Sequence, residues 1–210
     1  LDLPDAGRWA PSVYNAQPWR FLYARRDTPA WERFVSWLVP FNRSWAQNAS
    51  AIVYIVSRTV TISASTGEPV SAPTHAIDAG AASVLIQLQA TQKGWTTHPV
   101  NGFDKGLFTQ VWNSEDYAVH VAIIVGRRGD TARLPEHPQN HERSSDRVPL
   151  DAVAFEDRFA VKSPEKTDVT CRTIIPEDLS GIITAFPSGV DFVSVGDPYI
   201  EISSRIFLIS

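Results

Sequence analysis

Residues 10–19 read APSVYNAQPW, and within that decapeptide Ser12, Asn15 and Gln17 can each donate and accept hydrogen bonds. Pro11 and Pro18 fix their own φ and bias the residues before them away from helix, so these polar groups hang from a stiff frame. Such a device suits a flat heteroaromatic ligand whose edge alternates donors and acceptors. It equally suits a turn in which Asn and Ser satisfy the local backbone or cap a helix. A second stretch, HPVNGFD at 98–104, poses the same choice. Asn101-Gly102 allows a turn with positive φ that would expose consecutive backbone N–H groups to an electron-rich ring nitrogen and carbonyl. An ordinary strand-to-helix turn accounts for it as well.

The elements around these stretches are readable from periodicity. WRFLYAR (19–25) is aromatic-rich, follows Pro18 and predicts a strand. In PAWERFVSWLV (29–39), Trp31, Phe34, Val35 and Leu38 form one apolar helical face, with Pro29 suited to the first turn. AIVYIVS (51–57) is a continuous apolar run of strand length, as for a strand buried on both faces, and a polar loop, SASTGEPVSAPT, follows. HAIDAGAASVLIQLQATQKG predicts a helix with Ile77, Ala81, Val84, Leu85 and Leu88 as its stripe and Gly94 as its stop. Gly80, Ala81 and Ala82 thin that helix so that another backbone can approach. WTTHPV and YAVHVAIIVG (117–126) read as strands and KGLFTQVW as a short helix. Strands separated by helices indicate a layered α/β or α+β architecture.

Bulk properties bound the function. With 210 residues, 43% apolar and 10% aromatic, the chain can build a packed core, and one globular domain is the default. A net charge of −4 gives no reason to expect nucleic acid or a membrane surface as partner. Cys171 is the one cysteine, which excludes an internal disulfide and favours a reducing, cytoplasmic setting. No apolar run reaches the roughly 18–20 residues of a membrane span. His137 and His141 are four apart, but Pro138 and the polar context predict a solvated loop, so no metal site is expected. Arg128-Gly129-Asp130 reads as a turn after a strand. Asn42 and Asn48 stand in glycosylation-type tripeptides, which a cytoplasmic chain would leave unused. No G-x-S-x-G elbow supports Ser12 as a nucleophile. Trp31, Trp37 and Trp45 are expected as core or interface anchors.

APSVYNAQPW resembles the flavin loop of the nitroreductase family, A-P-S-x-x-N-x-Q-P-W. HPVNGFD resembles that family's later P-x-x-G-F segment, AIDAGAASVLIQLQATQKGW its central helix, and SDRVPLDAVAFEDRF its C-terminal basic-Pro-Leu segment. The resemblance spans about residues 1–159, leaving 160–210 as a tail of different texture in which VDFVSV, YIEIS and RIFLIS could be strands. It implies an α+β, three-layer α/β/α fold with a central mixed sheet, and an FMN-dependent NAD(P)H oxidoreductase acting as a homodimer with flavin at the interface. The resemblance places Pro11, Ser12, Val13 and Asn15 beside the isoalloxazine and ribityl chain, in family dimers usually from one subunit. Pro99, Val100, Asn101 and Gly102 come from the other, with the Asn101 and Gly102 amides near flavin N5 and O4. Arg147 matches a phosphate-binding Arg, while Ser145 stands where a second basic residue is common. Gln17 matches a motif position but serves as well to brace the loop.

The chain departs from the family pattern at both ends. It holds no methionine, and LDLPDAGRWAPS reads like the last turns of a helix, so the fold is expected to be N-terminally truncated. No Arg-x-Ser-x-Arg-like phosphate grip is present, and each lost charge-assisted bond would cost about 1.5–3 kcal/mol of affinity. The tail is expected to be loosely packed or to embrace a partner subunit. The implied reaction is hydride transfer from NADH or NADPH through the flavin to a nitroaromatic, quinone or similar small acceptor, with no side chain as general acid or base. The alternative is a flavin-poor family remnant that only binds or supports other molecules; a specialised flavin chemistry such as dehalogenation is a third possibility.

Overall fold

The β-branched runs build one sheet, and its order explains where the two loops lie. The computed structural model describes residues 2–63, 65–106, 108, 115–130 and 147–158. They fall in two units, one ending at Arg128 and the other starting at Gly129. In the first unit, α1 (Asp2–Gly7) leads to β1 (Trp19–Arg25), α2 (Trp31–Ser36), α3 (Pro40–Ala46) and β2 (Ala51–Arg58). Then come β3 (Val60–Ile62), β4 (Pro69–Ser71), α4 (His75–Gln92), β5 (Thr96–Val100) and β6 (Tyr117–Gly126). The four-stranded sheet has the order β1-β2-β6-β5, and β3 and β4 form a separate hairpin. All described pairings are antiparallel, so the parallel pairs of the expected mixed sheet do not fall among the described residues.

Both faces of the sheet are covered, which gives the three layers. On one face Ile52, Tyr54, Ala122 and Ile124 pack with Trp31, Phe34, Val35, Trp37 and Leu38 of the α2 region and with Phe103 and Phe108. Tyr54 is the hub of this aromatic layer: its ring lies 5.8 Å from Phe34, 5.5 Å from Trp37 and Phe103, and 4.7 Å from Phe108. Its hydroxyl donates to the Phe34 carbonyl at 2.9 Å, and burial pushes its phenol pKa up. On the other face Val53, Ile55, Ile123 and Val125 meet Ala79 and Ile86 of α4, with Leu3 of α1 alongside. One irregularity interrupts the ladder. Ile55 pairs with Val121 but Val56 pairs with Val119, so His120 is an extra, bulged residue in β6.

Several expectations change in the folded chain. The 29–39 helix is shorter, Trp31–Ser36, although its predicted apolar residues Trp31, Phe34, Val35 and Leu38 are all buried. Pro40 opens a separate helix, α3. The polar 63–74 segment contains strand β4, which pairs with β3. The largest revision concerns α4. It buries Asp78, Ala79, Ala82, Ser83, Ile86 and Ala90, not the predicted stripe. Ile77, Val84 and Leu88 are 75%, 53% and 44% exposed. A helix lying on a sheet surface crowded with valine and isoleucine needs small residues at the contact, so the larger side chains turn outward. Gly94 does end α4, at φ +71°. Of the KGLFTQVW helix, Lys105 and Gly106 are helical and Phe108 is buried; the stretch 109–112 lies outside the described residues, as do Ser145, His137, His141, Cys171 and the 160–210 tail.

Candidate functional site

The first loop is held by its own backbone. Val13–Asn15 form a single 3₁₀ turn, and Tyr14 (φ 52°), Asn15 (φ 54°) and Gln17 (φ 45°) all occupy left-handed space. Three non-glycine residues in that region within four positions store strain of about 1–2 kcal/mol each, less for Asn. Hydrogen bonds hold the shape. The Asn15 N–H donates to the Ser12 carbonyl at 3.0 Å and the Ala16 N–H to the Val13 carbonyl at 3.1 Å. The Gln17 N–H donates to Ser12 Oγ at 3.0 Å, and Arg20 Nη1 donates to the Gln17 carbonyl at 3.1 Å. The loop's ends are anchored: Ala10 and Trp19 are buried together against Ala82 of α4. Ser12 thus serves the loop itself, and Gln17 Nε2 braces the Asn15 carbonyl at 3.4 Å. Pro11, Val13 and Asn15 are exposed, and Tyr14 is 101% exposed.

The second stretch is held from outside. Pro99 pairs with Ile123 and the buried Val100 with Ala122, on the edge strand β5, where a missing proline N–H is tolerated. The Asn101-Gly102 segment does not adopt the expected positive φ. It runs on toward a bridge between Phe103 and Leu38, and glycine is needed at 102 for room instead. A Cβ there would collide with Asn42 Nδ2 and lie 3.0 Å from Val39 Cγ2. The Gly102 carbonyl accepts the Val39 N–H and Asn42 Nδ2, both at 3.0 Å, and the Asp104 N–H donates to the Trp37 carbonyl at 2.9 Å. The N–H groups of Asn101 and Gly102 donate to no acceptor among the described residues. Donors left without an internal acceptor on a pinned segment are what recognition of ring acceptors requires. Asn42 was invisible as a site residue in the sequence; its one signal, a glycosylation-type tripeptide, pointed elsewhere, and its side chain is buried.

The two stretches are not brought together within one chain. β1 and β5 are the two edges of the sheet, separated by β2 and β6, so three strand spacings, about 14 Å, lie between them. They do point toward the same end: Trp19 pairs with Ser57, Ser57 with Ala118, and β5 runs toward that end of β6. Arg147 is exposed in the second unit, ahead of a 3₁₀ turn at Leu150–Ala152. Among the described residues no cluster of three or more potential metal ligands occurs, and no helix is long and apolar enough to cross a membrane.

The chain is similar to a solved structure described as an oxidoreductase containing FMN, with 39% identity and a TM-score of 0.73 over 77% of this chain and 81% of the other. A curated relative from Bacillus subtilis (strain 168), named "Putative NAD(P)H nitroreductase YdgI", is 26% identical over 178 residues, 69% of this chain and 79% of its own. The chain belongs to the nitroreductase family. A nitroreductase family protein from Streptococcus pneumoniae TIGR4 shares the fold at 17% identity, with a TM-score of 0.55 over 74% of this chain and 86% of that one. No family model matches the sequence. This nitroreductase-family chain is therefore an oxidoreductase whose two signature stretches lie on opposite edges of its sheet.

Proposed function

We propose that this nitroreductase-family chain is an FMN-dependent oxidoreductase that moves a hydride from NADH or NADPH through flavin N5 to a nitroaromatic, quinone or similar acceptor. It works as a cytoplasmic homodimer, with residues 1–159 as the flavin domain. The observation that carries the reading is the pair of amides at Asn101 and Gly102 that meet no acceptor among the described residues, on a segment pinned by Asn42, Val39 and Phe103. The 39% identical oxidoreductase contains FMN, and the name of the Bacillus relative carries NAD(P)H; both support the assignment.

Flavin N5 and O4 are acceptors, so the donor pair fits that edge of the ring. Pro11, Ser12, Val13 and Asn15 would border the ring and ribityl chain, Pro99 and Val100 would flank the amide pair, and Arg147 would meet the phosphate. When bound, FMN supplies the hydride chemistry, taking it from the nicotinamide and giving it to the acceptor that replaces it. The protein's share is to hold the ring and to place N–H donors where electron density rises on reduction. No side chain need act as acid or base for that.

A second copy answers the separation of the loops. With about 14 Å between sheet edges, a flavin that touches both signatures draws the 11–15 loop from one subunit and the 99–102 segment from the other. The outward face of α4, with Ile77, Val84 and Leu88, supplies an apolar surface for that association. Covering the exposed part of Ile77 would contribute up to about 1.5–2 kcal/mol, and of the half-exposed Val84 and Leu88 about 1 kcal/mol each.

Adding FMN to the purified full chain, followed by gel filtration and an absorbance scan, tests the reading. Flavin bands should travel with a species of twice the chain mass, and NADH or NADPH should be oxidised when a quinone is added. A colourless protein after reconstitution would reject it. Bound flavin without nicotinamide oxidation would instead leave a binding protein.

A further inference from the structure

A second constellation stands at the start of α4. Ser57 Oγ is fully buried and lies 2.7 Å from His75 Nδ1 and 2.6 Å from His120 Nε2. The two imidazole centres are 5.5 Å apart. Ser57 sits near the end of β2, His75 is the first residue of α4, and His120 is the bulged residue of β6.

The bulge creates the cluster. Val121 belongs to the aliphatic face beneath α4, so strict alternation would turn residue 120 to the aromatic face and 119 back again. Val119 instead packs with the aromatic face. The extra residue has therefore reversed the alternation, and His120 meets Ser57 and His75 on the α4 side. Bulges commonly re-aim a single side chain in this way.

The proton inventory of this trio is restrictive. A hydroxyl has one proton to give and can accept two. With both rings neutral, Ser57 donates to one ring nitrogen and accepts from the other ring's N–H. With one ring charged, the same chain survives, because the charged ring donates and the neutral ring accepts. With both charged, the hydroxyl proton has no ring nitrogen to meet, and two cations face each other across 5.5 Å.

We propose that His75, Ser57 and His120 form an acid-sensitive latch that fastens the first turn of α4 to the sheet, closed while at most one ring is protonated and open when both are. Burial holds the His120 imidazole below its ordinary value of 6.5, and the charges of His75 on α4 and Lys105 after β5 act in the same direction. β2 presents the uncharged Ser57. The carboxylate on the same turn of α4, Asp78, is buried and takes the Thr74 hydroxyl at 3.4 Å; Tyr117 precedes His120 on its own strand, and Asp116 lies in the turn just before that strand. Because the folded pKa is depressed, the unfolded chain binds its proton first as the pH falls. The stabilisation is complete above about pH 6.5 and is lost below it.

Hydrogen exchange on the full chain at pH 7.5 and pH 5, corrected for intrinsic rates, tests the latch without any flavin. The hydrogen-bonded amides of His75 and Asp78 should open at least about tenfold more often at pH 5, while those at 86–92 change little. His120→Gln and His75→Gln should each remove most of that pH dependence, and the half-exposed His75 keeps the test available if the His120 variant fails to fold. Equal protection of the first turn at both pH values, or an unchanged pH response in a variant that folds, would overturn the proposal.

Discussion

The two signature stretches reach rigidity by opposite routes. Residues 11–17 are shaped by contacts within a few positions: Ser12 with Gln17, Asn15 with Ser12, and three residues forced into left-handed space. Residues 101–102 have no positive φ and are fixed by groups about 60 positions away, Val39 and Asn42, together with the aromatic layer that holds Phe103. The first stretch stores strain and depends little on the core. The second has no residue in left-handed space and depends on the core.

That difference sets the order of the expected mutational effects. Phe103→Ala removes a buried ring from the layer around Tyr54 and should destabilise the chain by about 3–5 kcal/mol in urea unfolding. It should also weaken flavin binding, because the anchor just after Gly102 is gone. Asn42→Ala takes one of two donors from the Gly102 carbonyl and leaves Val39 as its partner. A loss of about 1–3 kcal/mol is expected, together with faster exchange at Asn101 and Gly102. Ser12→Ala deprives the Gln17 N–H of its acceptor in an exposed loop where water can replace it. Its effect should stay within about 0.5–1.5 kcal/mol, with the core transition unchanged. If Ser12→Ala proved as damaging as Phe103→Ala, the first loop would not be locally held and the contrast would fail.

The same contrast explains what the sequence made legible. The strands at 19–25, 51–58, 96–100 and 117–126 were readable because β-branched and aromatic runs need only their own length to declare themselves. The polar richness of 10–19 was readable for the same local reason. The left-handed residues Tyr14 and Gln17 were not, since neither residue type announces positive φ. Nor was the orientation of α4, because Ala79, Ala82 and Ser83 face the sheet for lack of space while Ile77 and Val84 face out. Size was a poor guide to inside and outside where the neighbouring layer had already filled the room. Asn42 and the Ser57 cluster were hidden for another reason: each is assembled by strand order and by a single bulge, and neither follows from spacing.

The smallest effect sharpens the contrast most, because its sign is reversed. Tyr14 is 101% exposed with φ 52°, so its side chain contributes no packing while its backbone sits in a conformation costing about 1–2 kcal/mol for an L-residue. Tyr14→Gly removes that strain. It also makes the unfolded chain more flexible, which returns part of the gain to the unfolded state. A net stabilisation of about 0.5–1 kcal/mol remains, or roughly 1–4 °C in Tm for a chain of this size. A residue held in strain without a packing reward belongs to the loop's task and not to the fold. Tyr14→Gly should therefore melt later yet bind FMN no better, and a variant that melts earlier would show that the left-handed turn is held by the core after all.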